Sequence, residues 1–445
     1  QSMKDNDVWV LVELSPNART VGSKWLFKKK IDMDGAVYIF KARLVAKGFT
    51  QTYGVNYEET FSPIADIRPI RIFIAIAAYY DYEVWKMDVK TAFLNGHLSE
   101  EVYMEQPEGF VNPKYPNHKF GFTQNPDEPC VYIKASGSYI AILILYVDDI
   151  LLMGSNIPMI QDVKSYLGRS FAMKDLGEAA YILGIKIYRD RSKRLIGLCQ
   201  KAYLEKILKR FYLENSKRGT IPLQEKLKLS KSQGASTPTE IQRMQNVPYA
   251  SAKGSIMFAV RCTRPDVAFA QIMTSRFQQN LGEEHWTAVK NILKYLRNTK
   301  YMFLTGYVFV LNGGAVDWKS TKQSIFATLS TDAEYIAAFD ASKEAVWIRK
   351  FISGLGIVPT IEEPISMYCD NIGAIAIAKD DGVTKGARHF RAKVNYLRET
   401  IKLGDVKIEK IDTDDNLVDP FTKALAFPKH SKLTRNIGLL PACSF

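Results

Sequence analysis

The sequence predicts a mixed α/β (α+β) protein, and three observations carry that reading. Asp34-Gly35, the strongest short hairpin signal, separates two β-rich runs at residues 25–31 and 36–45. Residues 139–153 form a second hairpin pattern whose apolar arms meet at Asp148-Asp149. Beyond residue 300, strand-like runs alternate with helical patterns, the rhythm of an α/β unit.

In chain order, the first hairpin carries Lys28, Lys29, Lys30, Lys41 and Arg43, which makes it a basic β-ribbon. Residues 67–80 follow Asp66, hold Pro69 in the first turn and continue as IRIFIAIAAYY, too apolar for a surface helix; they predict a helix buried against a sheet. Strands are predicted at 84–89 and 130–133, and a helix at 159–171. Residues 224–245 are polar, rich in Ser, Thr, Gly and Pro and without period, the pattern of a linker at a domain boundary. Helices at 251–260 and 283–297 then lead to strands at 307–311 and 315–319, a long helix at 331–355, a strand at 365–370, a helix near 388–403 and a strand at 406–411.

The 445 residues suffice for about two or three domains. Sixty Lys and Arg against 47 Asp and Glu leave +13, with a pI near 9.2, which favours polyanionic partners, nucleic acid first. Five scattered cysteines without a CxxC pair argue against zinc and a disulfide framework and for a reducing compartment. The most apolar stretch, 140–153, is too short to span a bilayer and has two carboxylates at its middle, which excludes a membrane protein. A chain starting at Gln1 with no signal-like segment reads as a fragment of something longer.

Adjacent carboxylates repel unless a cation lies between them. An isolated Asp-Asp is ordinarily a solvated turn, but a turn between strands this apolar is normally Asn-Gly or Asp-Gly. Asp88 ends another apolar strand. Were the two strands neighbours, Asp88, Asp148 and Asp149 would converge where two divalent ions bind, the arrangement used for phosphoryl transfer. Oxygen-only ligands suit Mg2+ or Mn2+.

The runs KARLVAKGFTQTYGVNYEETFSP (41–63), KMDVKTAFLNG (86–96), YVDD (146–149) and MKDLGEAAYILGIKI (173–187) closely resemble the reverse transcriptase of copia-type LTR retrotransposons, particularly those of plants. Residues 247–266 and 285–299 look like the connecting region, and STDAEYIAA, YCDNIGAI and TDDNLVDPFTK resemble the ribonuclease H part of the same polyproteins. The resemblance implies right-hand polymerase fingers and palm with an antiparallel palm sheet at 8–223, a linker and helical connection at 224–302, and a ribonuclease H-like α/β domain at 303–434. Asp88, Asp148 and Asp149 would then hold the polymerase metals, and Phe93 would be the aromatic gate that excludes a 2′-hydroxyl, though as a lone residue it reads as core. Lys41, Arg43 and Lys47 would contact triphosphate or template, against the plainer reading of a solvated strand face. Glu334, Asp370 and Asp419 would be ribonuclease H carboxylates, also metal ligands. His389 matches a mobile histidine near such sites, or is simply structural. Implied partners are an RNA template, a DNA primer, RNA–DNA hybrid and dNTPs, in a cytoplasmic virus-like particle.

The chain departs from that pattern twice. At 112–121 it passes straight into FTQNPDEPC, omitting a palm helix with a SIYGLKQ-type motif, which predicts an open wall beside the metal site and an uncovered apolar sheet face. At 301–314 it omits the strand with the first ribonuclease H aspartate, and the expected Tyr-His pair reads Asn395-Tyr396. The leading reading is an RNA-directed DNA polymerase with a ribonuclease H module. Its rivals are a catalytically silent relic that still binds nucleic acid, and a chain in which only a nuclease-like function survives.

Overall fold

The computed structural model describes residues 23–31, 37–46, 65–89, 122–171, 173–304, 309–311, 314–318, 329–379 and 391–441. The basic hairpin forms as predicted: β1 (Ser23–Ile31) pairs antiparallel with β2 (Val37–Ala46), Lys28 opposite Lys41. Helix α1 (Ile67–Tyr79) starts where Asp66 accepts a hydrogen bond from the Arg68 backbone N–H at 3.0 Å, and nearly all of its residues are buried.

Its apolar run faces one side of a six-stranded antiparallel sheet. The strands are β3 (Glu83–Val89), β4 (Thr123–Gln124), β5 (Val131–Ser136), β6 (Tyr139–Tyr146), β7 (Asp149–Gly154) and β8 (Met173–Glu178), in the order β4-β5-β6-β7-β3-β8. Because strand side chains alternate, each arm of the central hairpin supplies two cores. Met87, Ala141, Leu143, Ile150 and Leu152 pack on Ile160, Val163 and Leu167 of α2 (Ile157–Ser170). Val84, Ile142, Ile144, Leu151 and Met153 point the other way, into a larger core shared with Ile70 and Phe73 of α1.

A second sheet contains β9 (Tyr181–Ile182), β10 (Ile185–Asp190) and β11 (Leu195–Cys199). Helices α3 (Lys201–Arg210), α4 (Pro238–Gln245), α5 (Tyr249–Cys262), α6 (Ala268–Ser275) and α7 (Glu283–Asn298) follow. All but α4 contribute several residues to a helical core around Leu204, Ile256, Ala270 and Ile292. Arg264 and Asp266 are each 1% exposed and pair in two places, Nε to Oδ1 at 3.0 Å and Nη2 to Oδ2 at 2.6 Å; the Tyr295 hydroxyl donates to the same Oδ2 at 2.7 Å. Such a buried pair is tolerable because further hydrogen bonds satisfy it.

Strand β12 (Met302–Leu304) joins β11, and a two-residue ladder links β13 (Val310–Leu311) to β14 (Gly314–Ala315). After α8 (Ser330–Ser353), strand β15 (Ile365–Cys369) pairs parallel with β16 (Val406–Lys410). Around them α8, α9 (Ile372–Lys379) and α10 (Arg391–Lys402) close a third core on Tyr335, Ala374, Val394 and Leu397. The chain continues through α11 (Asp419–Thr422) and α12 (Phe427–Asn436) to β17 (Leu439–Pro441), which pairs with β12.

Three expectations need correction. The apolar sheet face predicted to lie uncovered does not occur among the described residues: one face meets α2, and the other meets α1 with Phe351 and Ile352 at the end of α8 and Leu355 just after it. The supposed linker carries α4, started by a reciprocal cap between Thr237 and Glu240, and Leu227 and Leu229 pack on the helical core. Its apolar residues are too sparse to show a period; Leu227 and Leu229 are half-buried against the helical core, Met244 is buried and Ile241 is exposed. The strands expected at 307–311 and 315–319 reduce, among the described residues, to the β13–β14 ladder.

Candidate active sites

Asp88 lies directly opposite Asp149 in the β3–β7 ladder, and Tyr146 is opposite Asp149 in β6–β7. Register partners share a face, so Asp88 and Asp149 stand on the same side of the sheet. Asp148 occupies the two-residue turn, where its carbonyl accepts from the Val89 backbone N–H at 2.8 Å and ties the hairpin tip to the end of β3. Val147 precedes it at φ +55°, the left-handed region that a β-branched side chain disfavours. That strain sits in the turn carrying the carboxylates, where strained backbone is characteristically found.

Lys86, two residues before Asp88 on the same face, places its Nζ 2.9 Å from Asp149 Oδ1. Sequence reasoning passed over Lys86; the signal was available, because in a strand an i, i+2 spacing from Asp88 points both side chains one way.

A second constellation lies in the C-terminal part. Glu334 on the second turn of α8, Cys369 at the end of β15 and Asp370 just after it bring ligand atoms that all lie within 4.8 Å of one another. Burial raises the Glu334 carboxyl above its usual range; the charges of Asp370 and Asp419 raise it further, while Lys423 opposes them. Asp419 opens α11 and is 2% exposed. Lys423 Nζ lies 2.7 Å from its Oδ1 and Lys429 Nζ 3.1 Å from its Oδ2, yet Oδ2 has no aligned hydrogen bond.

Two carboxylates, Glu334 and Asp370, and one thiol lie close enough together to hold a divalent cation, whereas Asp419, near enough for its charge to act on Glu334, is held by Lys423 and Lys429. Among the described residues no other group of three acid, Cys or His side chains comes so close, so the Asp88, Asp148 and Asp149 carboxylates are more widely spread. Cys369 is the residue that sequence reasoning missed, having set the cysteines aside for want of CxxC spacing. Its one sequence signal is adjacency to Asp370.

Lys41 and Arg43 lie on β2, with Arg43 opposite Leu26. Phe93, Lys47 and His389 lie outside the described residues, as does the shortened segment at 112–121.

The reverse transcriptase (RNA-dependent DNA polymerase) family matches the chain at residues 6–120 and 116–225. The Retrovirus-related Pol polyprotein from transposon TNT 1-94 of Nicotiana tabacum is 38% identical over 99% of the chain. The chain belongs to the reverse transcriptase family of copia-type Pol polyproteins. Other members of that family include the Arabidopsis thaliana Pol polyproteins from transposons RE1 and RE2, 30% and 28% identical over 98% of the chain. The chain spans about a third of these curated relatives: 37% of the first and 33% of each of the others. The alignments run to 494, 492 and 497 positions against 445 residues, so each relative carries residues that this member lacks. The two stretches of the family match overlap at 116–120, inside the segment at 112–121. No solved structure matches the chain. Among the described residues no helix is long and apolar enough to cross a membrane.

Proposed function

We propose that the chain is the RNA-directed DNA polymerase and ribonuclease H portion of a copia-type Pol polyprotein, acting on RNA template, DNA primer, dNTPs and RNA–DNA hybrid. The observation that carries the polymerase reading is the placement of Asp88 opposite Asp149, with Asp148 in the strained turn between them and β6. Asp88, Asp148 and Asp149 would hold Mg2+ or Mn2+, which when bound lowers the pKa of a primer hydroxyl and neutralises charge on the leaving pyrophosphate. Lys86 Nζ, 2.9 Å from Asp149 Oδ1, keeps that carboxylate oriented on the same face as Asp88. Glu334, Asp370 and Asp419 would do the corresponding work for hybrid hydrolysis, with water as the nucleophile. By this reading residues 8–223 are fingers and palm, 224–302 the connection and 303–434 the nuclease domain, within a cytoplasmic particle.

A second reading, a catalytically silent relic that retains nucleic-acid binding, is favoured by the shortfall against every relative described above and by the division of the family match into two stretches that overlap at 116–120. Polymerisation needs template and nucleotide held in near-attack geometry as well as metal ligands. Primer extension separates the two readings. The chain as it stands should extend weakly; inserting a relative's segment between Asn112 and Gly121 should restore extension, and Asp148→Asn should abolish it in the restored chain. Failure of the restored chain to extend would favour the relic.

A further inference from the structure

A cavity of about 250 Å³ lies between the end of α7, the start of β12 and one face of α12, and none of its lining residues belongs to either acid group. Pockets for drug-sized ligands run to about 300–1,000 Å³, so this one suits a single heterocycle. Tyr295 and His430 line it, and both are buried. The Tyr295 ring meets the imidazole edge to face at 5.6 Å, while its hydroxyl is committed to Asp266. His430 Nε2 lies 3.3 Å from the Asp266 backbone carbonyl. A carbonyl only accepts, so the proton of the neutral ring sits on Nε2 and Nδ1 carries a lone pair. Burial lowers the pKa of the ring, outweighing the pull of Asp266, and so keeps it neutral. Among the described residues Nδ1 has no hydrogen-bond partner, yet it is not one of the sealed orphan atoms, so it opens on the cavity that its ring lines. A buried side chain thus presents an unused acceptor to an accessible recess. Tyr301, Phe427 and Arg435 also line the cavity and are exposed, which places them at its mouth. Lys201 Nζ, 4.8 Å from the Tyr301 ring centroid, adds positive charge there, and among the described residues no Asp or Glu lines the cavity.

We propose that this cavity binds a single nucleotide, with its base packed on the aromatic rings at the mouth, an exocyclic amino group donating to His430 Nδ1 and its phosphate at Arg435. Aromatic faces hold any base by stacking, and a guanidinium pairs with phosphate. The lone acceptor on the floor adds selectivity. Cytosine and adenine present an amino group to it, whereas an oxo base sets a carbonyl against Nδ1, acceptor facing acceptor. Two sources offer this chemistry, a free mononucleotide and an unpaired nucleotide of a bound strand.

The test is calorimetric titration of the full chain with cytidine and uridine 5′-monophosphates, in EDTA so that no divalent ion recruits nucleotide to the acid groups. The two probes match in size and phosphate and differ only along one edge of the pyrimidine. Cytidine monophosphate should bind about tenfold tighter, the worth of one hydrogen bond made against one lost. His430→Gln, which still donates to the Asp266 carbonyl but has no acceptor in place of Nδ1, should erase that preference. Arg435→Gln should weaken both probes about tenfold and keep the preference; its site is exposed, so it guards against misfolding of the His430 variant. RNA–DNA hybrids carrying one unpaired cytidine or one unpaired uridine, compared by fluorescence anisotropy, distinguish the sources. A cytidine preference seen only in the hybrids and lost in His430→Gln would assign the site to a nucleotide of a bound strand. Equal binding of the two mononucleotides and of the two hybrids, a preference that survives His430→Gln, or no binding of any of the four probes would overturn the site.

Discussion

The ring of Phe73 on α1 meets that of Phe351 on α8 edge to face, with centroids 5.5 Å apart and planes at 76°. Both rings are fully buried, and Trp347 stacks on Phe351 from within α8 at 5.2 Å. A helix flanking the carboxylate-bearing sheet and a helix flanking the second acid group thus share one core. Arg68 joins the same helices through Glu344 at 2.8 Å. Arg71, fully buried, donates to the carbonyls of Val316 at 2.9 Å and Arg261 at 2.8 Å, and its guanidinium lies over Trp318.

Phe351→Ala should therefore destabilise more than its own helix. A Phe-to-Ala change in a packed core costs about 3–5 kcal/mol. Denaturant unfolding followed by fluorescence should show the loss in one transition common to both parts of the chain. A variant that loosens only the C-terminal part would show that the shared core does not couple them.

Val147→Gly should stabilise the hairpin tip. At φ +55° glycine relieves strain that costs about 1–3 kcal/mol, and Val147, at 44% exposed, gives up little packing in return. After the greater freedom of glycine in the unfolded chain is set against this, a net gain of about 1 kcal/mol is expected in equilibrium unfolding. A loss of stability would mean that the valine side chain holds the turn.

Asp317 should make stability pH-dependent. Burial pushes its carboxyl up to about 6, despite Arg68 and Arg71 nearby, which pull it down, while Glu344 adds to the rise. A group whose folded pKa exceeds its unfolded value binds more protons in the native state, so its contribution is complete below about pH 4 and is lost as pH rises through about 6. Relative to Asp317→Asn, the native chain should gain about 2–3 kcal/mol between pH 7 and pH 4. Equilibrium unfolding of both proteins across that range measures the difference, and parallel profiles would show that Asp317 stays ionised.

Nucleic-acid binding should be independent of sequence and steeply salt-dependent. Lys24 and Lys29 stand exposed on the basic hairpin, beside Trp25 and Phe27, which are stacked at 6.3 Å. Each neutralised phosphate contributes about −0.9 to the slope of log affinity against log salt on duplex and about −0.7 on single strands. Filter binding of RNA–DNA hybrid from low to physiological salt should fall accordingly, and Lys24→Ala with Lys29→Ala should flatten the slope. Affinity indifferent to salt would leave the +13 charge without this role.

Much of the architecture is local in origin and was legible in the sequence. The β1–β2 hairpin, the buried run after Asp66 and the apolar arms around Asp148-Asp149 are written in turn residues and in two-residue or helical periods, which neighbours along the chain enforce. The motifs likewise marked Asp88, Asp149, Glu334 and Asp370 as residues worth placing. What the sequence could not contain is which surfaces meet. That Phe351 helps to cover the sheet face expected to lie bare, and that Leu227 and Leu229 anchor a supposed linker on the helical core, depends on contacts between residues far apart in the chain. Cys369 shows the same limit at a site. Its neighbour Asp370 is visible in the chain, but only the approach of α8 brings Glu334 to the sulfur, because coordination distances are set by packing between elements rather than by spacing within one.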